Sequence, residues 1–137
     1  MVDHLNYPAR LRAVLNLSLF CLLPIALSSC EEGPGGSAVL SGTIIVQDVN
    51  VLGQVVAEYP ALEERVYLIY GTEPGFGDDT RTHLDGSYRF ANLRNGDYQV
   101  YAYSDCETCP SGKEAIIVSV TLNGDTEAPA ITIVKNL

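Results

Sequence analysis

The chain has 137 residues, enough for one domain around a single core. Its 8 basic and 17 acidic residues give a net charge of −9. So acidic a surface lacks the clustered Lys and Arg that neutralise phosphates, which argues against nucleic acid as a partner and leaves the charge as a source of solubility.

In chain order, residues 1–12 carry Arg10 and Arg12, and residues 13–27, "AVLNLSLFCLLPIAL", are mostly apolar. That length suits a secretory signal core and is short for a membrane span. The next residues, Leu27-Ser28-Ser29-Cys30, place small side chains directly ahead of a thiol. The pattern resembles the lipobox of bacterial lipoproteins. The resemblance implies that residues 1–29 are a cleaved signal peptide, that the Cys30 thiol receives a diacylglyceryl group, and that the new amino terminus is acylated by palmitate-like chains. Cleavage would remove Asp3, Arg10 and Arg12, leaving 6 basic and 16 acidic residues and a charge of −10. Each buried methylene contributes about 0.8 kcal/mol, so two or more chains make a stable membrane anchor. The alternative is an ordinary signal peptide cut nearby, with Cys30 a free or paired thiol.

Residues 31–37, "EEGPGGS", have no apolar periodicity and contain three glycines and a proline, so residues 30–37 are expected to be the lipidated cysteine and a flexible tether. Glu31 and Glu32 also resemble the acidic signals that send lipoproteins of the Bacteroidetes to the cell surface, which implies an outer-membrane, surface-exposed location. Otherwise they simply keep a linker solvated.

From residue 38 to 137 apolar residues alternate, β-branched types dominate, and turn residues recur every eight to twelve positions. This predicts an all-β fold, an antiparallel Greek-key sandwich of about seven strands. The predicted strands are residues 38–48, 65–71, a hairpin over 78–93, then 97–106, 114–124 and 128–136. The hairpin is expected to close on Asp85-Gly86 as a two-residue turn, because Gly and Asp tolerate positive φ.

Within residues 86–102 stands the pattern Gly86, Tyr88, Phe90, Leu93, Gly96, Tyr98, Val100, Ala102, with Gly42 and Ile44 in the first strand. This is similar to carboxypeptidase regulatory-like or prealbumin-like domains, including the Cna B-type modules of surface proteins. The resemblance covers nearly all of residues 38–136 and implies the sandwich. On function it is nearly silent, because such domains serve as spacers, adhesin stalks, sugar-binding units and enzyme appendages. The strand from residue 97 has the matching register: Tyr98, Val100 and Ala102 face one way, and Gln99, Tyr101 and Tyr103 the other. Some Cna B-type domains carry a Lys–Asn isopeptide bond. Here only Lys113 and Lys135 follow the leader and the first strand has no lysine, so none is predicted.

Four constellations bear on chemistry. Cys106-Glu-Thr-Cys109 could be a redox pair or half a metal site. Pro and Gly lead it into a strand rather than a helix, which does not lower a thiol pKa, and zinc would need ligands beyond these two, Cys30 and His83. A disulfide across a loop tip is the state an oxidising compartment favours, with free thiols or thiol chemistry as alternatives. His83 and Asp85 lack a nucleophile and a third group, so no hydrolytic triad is proposed. Glu73, Asp78 and Asp79 lie in a Gly-rich loop whose spacing does not match the D-x-D-x-D-G calcium pattern, which favours a solvated loop and no bound metal. Phe76 in that loop, with Tyr101 and Tyr103, could form an exposed stripe for stacking on sugar rings or on another protein. Tyr67 and Tyr70 differ in parity, so both cannot share that face. The alternative is that these rings are cross-strand pairs that stabilise the sheet.

The sequence therefore leads to a membrane-anchored envelope lipoprotein, no enzyme and without a cofactor, whose sandwich is a structural or protein-interaction module. The alternative is a carbohydrate-binding or nutrient-uptake accessory using Phe76, Tyr101 and Tyr103, with a polysaccharide as partner.

Overall fold

The computed structural model describes residues 32–137; the signal-like segment, Cys30 and Glu31 lie outside them. Among the described residues there is no helix, and nine strands follow in order: β1 (Pro34–Val49), β2 (Val55–Pro60), β3 (Arg65–Tyr70), β4 (Asp78–Arg81), β5 (Ser87–Leu93), β6 (Gly96–Asp105), β7 (Lys113–Leu122), β8 (Thr126–Glu127) and β9 (Ile131–Asn136). They make two sheets, one built around β1 and the other in the order β4-β3-β6-β7. The core draws on both: Leu40, Ile44 and Val46 of β1, Tyr88 and Phe90 of β5, and Ile131 and Ile133 of β9 meet Val66, Leu68, Tyr98, Val100, Val120 and Leu122. The sandwich expected from alternation is thus the observed fold.

β1 organises its sheet. Along one edge β5 and then β2 pair with it antiparallel, meeting at Ile44, whose N–H goes to Gly86 O and whose O accepts the Ala61 N–H, both at 2.9 Å. Along the other edge β8 and β9 run parallel to it. The parallel pairs depart from the purely antiparallel expectation. After β7 the chain leaves the second sheet and crosses over to reach β1, so it arrives travelling in the direction of β1.

Three further expectations change. The first strand begins at Pro34, so residues 34–37 belong to β1 and not to a tether; Pro34 and Ala38 both pair with Leu93 across an irregular register. Glycine and proline there fit a bulged, close approach of two backbones, since a Cβ at Gly36 would fall 2.0 Å from Leu93 O. β2 was not foreseen, because all six of its residues are exposed and no face carries an apolar alternation. The hairpin over 78–93 does not form as a pair: β4 bonds to β3 in one sheet and β5 to β1 in the other. Between them the His83 N–H bonds Ser87 O at 2.8 Å, the Gly86 N–H bonds His83 O at 3.0 Å, and Gly86 alone of the Asp85-Gly86 pair has positive φ, at 77°. This is the three-residue connection in which a tight turn is completed by a left-handed glycine, and it sends its two arms to different sheets.

Two buried hydroxyls join the layers. Thr82 Oγ1 donates to Ala61 O at 2.6 Å and accepts the Glu64 N–H at 3.0 Å, tying the β2–β3 and β4–β5 connections together. Ser104 Oγ of β6 accepts the Val134 N–H of β9 at 2.9 Å.

Candidate interaction surface

The outward face of the second sheet carries the rings. In β3 the buried Val66 and Leu68 put Tyr67 on the outside by alternation, and in β6 the buried Val100 and Ala102 do the same for Tyr101 and Tyr103. Tyr67 lies directly opposite Tyr101, which lies opposite Ile117 of β7, so one cross-strand row holds three large side chains. The two tyrosine rings stack, with centroids 4.8 Å apart and planes at 11°. Tyr103 meets this pair edge-on, 5.7 Å from Tyr67 and 5.6 Å from Tyr101.

Phe76 completes the cluster from a loop. The Gly77 N–H bonds Leu68 O at 2.8 Å, and Gly77 lies flat on the Tyr70 ring, where a Cβ would be 2.3 Å from a ring carbon. With the loop end pinned on the inner side, the preceding residue turns outward, and Phe76 packs edge-on against Tyr67 with centroids 5.0 Å apart. Tyr101 is left only 9% exposed, whereas Tyr103, Phe76 and Ile117 remain 43%, 51% and 51% exposed. Burial pushes the Tyr101 hydroxyl pKa up, with the Tyr103 hydroxyl adding to it. The result is a stacked tyrosine pair, Tyr101 buried and Tyr67 half-buried, flanked by Phe76, Tyr103 and Ile117, which stay open to solvent. Tyr70, of opposite parity, faces inward and meets Tyr98 edge-on at 6.1 Å.

Sequence reasoning named Phe76, Tyr101 and Tyr103 and weighed Tyr67, and the fold brings all four together. It missed Ile117. Alternation along β7, with Val120 and Leu122 inside, would have put residues 115, 117 and 119 on the outer face, but only the register with β6 sets Ile117 beside Tyr101.

The remaining sequence candidates lie elsewhere. Cys106 and Cys109 are joined by a disulfide, Cα atoms 5.3 Å apart, at the tip of the β6–β7 hairpin. Glu114 reaches the same sulfurs, but these are bonded to each other. Beside this tip, in the last β6–β7 pair, Asp105 pairs with Lys113 and accepts the Asn136 N–H at 2.9 Å; the Lys113 hydrogen bond, then the Asn136 amide, hold its carboxyl below the usual range. Asp78 and Asp79, expected in a loop, open strand β4, where Asp79 pairs with Arg65 at 3.5 Å and the Asp78 carboxylate accepts the Asp79 N–H at 2.8 Å. His83 lies on an exposed turn, where Asp85 is held by the Ser87 hydroxyl at 2.6 Å. A recess of about 370 Å³ is lined by Glu32, Asp97, Gln99 and Thr121 among others. Three of these polar groups are engaged within the protein, Thr121 with Asp97 at 2.6 Å and Gln99 with Gly71 O at 3.1 Å. Cys30 is outside the described residues.

No family model matches this chain, and no curated protein matches it. Among solved structures it is similar to a Pseudomonas aeruginosa protein proposed to bind carbohydrate, with 14% identity and a TM-score of 0.45 over 75% of this chain and 91% of that one. It is also similar to a DUF3823 family protein from Bacteroides uniformis, with 19% identity and a TM-score of 0.36 over 71% of this chain and 43% of that one.

Proposed function

We propose that this protein is a lipid-anchored component of the bacterial envelope, held to the outer membrane through Cys30, whose sandwich binds a protein partner and performs no chemistry. The anchor is supported by the Leu-Ser-Ser-Cys sequence after an apolar leader, and a surface-facing location by Glu31 and Glu32. Membership in the carboxypeptidase regulatory-like group is supported by the burial of its pattern residues: Tyr88, Phe90, Leu93, Tyr98, Val100 and Ala102 are all core.

The single observation that carries the binding role is the outer aromatic face, where Phe76, Tyr103 and Ile117 stand half-exposed around the stacked Tyr67–Tyr101 pair. Apolar and aromatic anchors clustered on one face are the composition of an interface centre. The geometry favours protein over sugar. Stacking on a pyranose asks for a ring face laid open, yet Tyr67 and Tyr101 spend faces on each other, and Phe76 and Tyr103 stand at 64° and 77° to Tyr67. Polysaccharide remains the second reading, favoured by the exposure of Phe76 and Tyr103 themselves.

The test places a photo-crosslinking amino acid at Tyr103 in living cells, with Glu58 on the remote β2 edge as control. A discrete crosslinked protein at Tyr103, absent at Glu58 and lost in Phe76→Ser/Ile117→Ser, is expected. Equal labelling at both positions, together with saturable binding of envelope polysaccharide to the purified domain, would replace the protein reading by the sugar one. Palmitate labelling of the parent and of Cys30→Ser tests the anchor.

A further inference from the structure

The domain begins almost at the proposed anchor. The Gly33 N–H donates to Tyr98 Oη at 2.9 Å, that hydroxyl donates to Arg94 O at 2.8 Å, and the Arg94 N–H returns to Gly33 O at 2.9 Å. Glu32 lies against Gly71 and Gly96, and β1 starts two residues later, at Pro34. Only Glu31 and Glu32 separate Cys30 from Gly33, three Cα-to-Cα steps with a reach of at most about 11 Å. The segment that composition marks as a leash is therefore clamped to the body of the domain.

β1 then runs the length of the sandwich, up to about 50 Å for its 16 residues. With Gly33 at its start lie the β5–β6 turn and the β7–β8 turn, joined by the Gly124 N–H to Asn95 Oδ1 at 2.9 Å. At its other end lie the β1–β2 turn, the carboxyl terminus, whose Leu137 N–H bonds Val49 O at 3.1 Å, and Asp105 beside the disulfide tip of the β6–β7 hairpin, bonded to Asn136. On that far turn Val51 and Leu52 are 88% and 78% exposed.

Resting on the reading of Cys30 as the lipidated residue, we infer that the domain is docked upright on the bilayer. The turns around Arg94, Asn95 and Gly124 abut the lipid headgroups, the aromatic face stands on the flank, and Val51 and Leu52 form the outermost, apolar point. The occupant of the near end is the phospholipid surface. A body with charge near −10 on a free leash would be held off an anionic bilayer by about a Debye length, about 8 Å, and would tumble there; the clamp removes that freedom. Partners on the same membrane then meet the aromatic flank from the side, while the Val51-Leu52 tip faces away from the anchoring bilayer.

The experiment uses the full lipidated protein in vesicles of phosphatidylethanolamine and phosphatidylglycerol carrying an acceptor dye on a fraction of the headgroups. A donor dye is placed at Asn95→Cys or at Leu52→Cys. Energy transfer is expected to be several-fold higher from position 95 than from position 52, and an eight-residue Gly-Ser insertion between Glu31 and Glu32 should bring the two together. Equal transfer from both positions in the palmitate-labelled parent would overturn the upright arrangement while leaving the anchor intact. Absence of palmitate from the parent would instead overturn the anchor, and the inference with it.

Discussion

Two buried tyrosine hydroxyls in this domain have opposite surroundings, and exchanging each ring for phenylalanine reads the difference. The Tyr98 hydroxyl accepts from the Gly33 N–H and donates to Arg94 O, bonding back four residues as at a tyrosine corner. Tyr98→Phe removes two hydrogen bonds of about 1 kcal/mol each and leaves the Gly33 amide without this partner, a cost of about 2–3 kcal/mol. The Tyr88 hydroxyl is buried without a hydrogen-bond partner. Tyr88→Phe should return its desolvation penalty, stabilising by about 1 kcal/mol. With a urea slope of about 1–1.5 kcal/mol/M, the two midpoints should move by about 2 M down and about 0.7–1 M up. Urea unfolding followed by far-UV circular dichroism measures both, and amide exchange at Gly33 should quicken only in Tyr98→Phe. An unchanged midpoint for Tyr98→Phe, or equal losses in both variants, would refute the assignment of the hydroxyls. The alkaline limb gives a second reading. Burial first, and the Glu127 charge second, push the Tyr88 pKa from 10.0 up to about 12. A raised pKa stabilises below the unfolded value and the benefit fades as pH rises through the folded one, so stability should fall between about pH 10 and pH 12, less steeply in Tyr88→Phe.

Gly42 faces the same ring: a Cβ there would lie 2.3 Å from Tyr88 Oη and 2.5 Å from the ring carbon bearing it, so Gly42→Ala should cost about 1–3 kcal/mol by overpacking, measured by the same urea titration. The disulfide closes only a four-residue loop, which the chain-entropy treatment values at about 2 kcal/mol; Cys106→Ser/Cys109→Ser should lower the midpoint without abolishing cooperative folding, and an unfolded product would contradict this. Asp105 has a depressed pKa, so its contribution is present above the ordinary carboxylate range and lost as pH falls through the lowered value. Acid titration should therefore lower the protection factor of the Asn136 amide in the parent, whereas in Asp105→Ala, which has no acceptor, that protection should already be lost at neutral pH.

Much of the domain was legible in the sequence because its determinants are local. Alternation along residues 38–48, 65–70 and 97–105 fixed which side chains go inside, since a strand's side-chain period is two whatever it pairs with. Parity alone separated Tyr67 from Tyr70 and put Tyr101 and Tyr103 outside. The spacing of Cys106 and Cys109 on a turn allowed the pairing that the fold contains. What period and spacing do not encode is the partner. β2 buries no face, so only hydrogen bonds to β1 make it a strand. The arms beside Asp85-Gly86 go to different sheets because β3 and β1, both remote in sequence, compete for them. The glycines and proline of residues 33–36 read as a leash, yet backbone approach to Leu93 and a hydroxyl 65 residues away hold them. Likewise, sequence does not distinguish the satisfied hydroxyl of Tyr98 from the orphaned one of Tyr88, nor say that Phe76 packs edge-on against Tyr67. Those outcomes depend on contacts between distant segments, and only the closed sandwich brings the segments together.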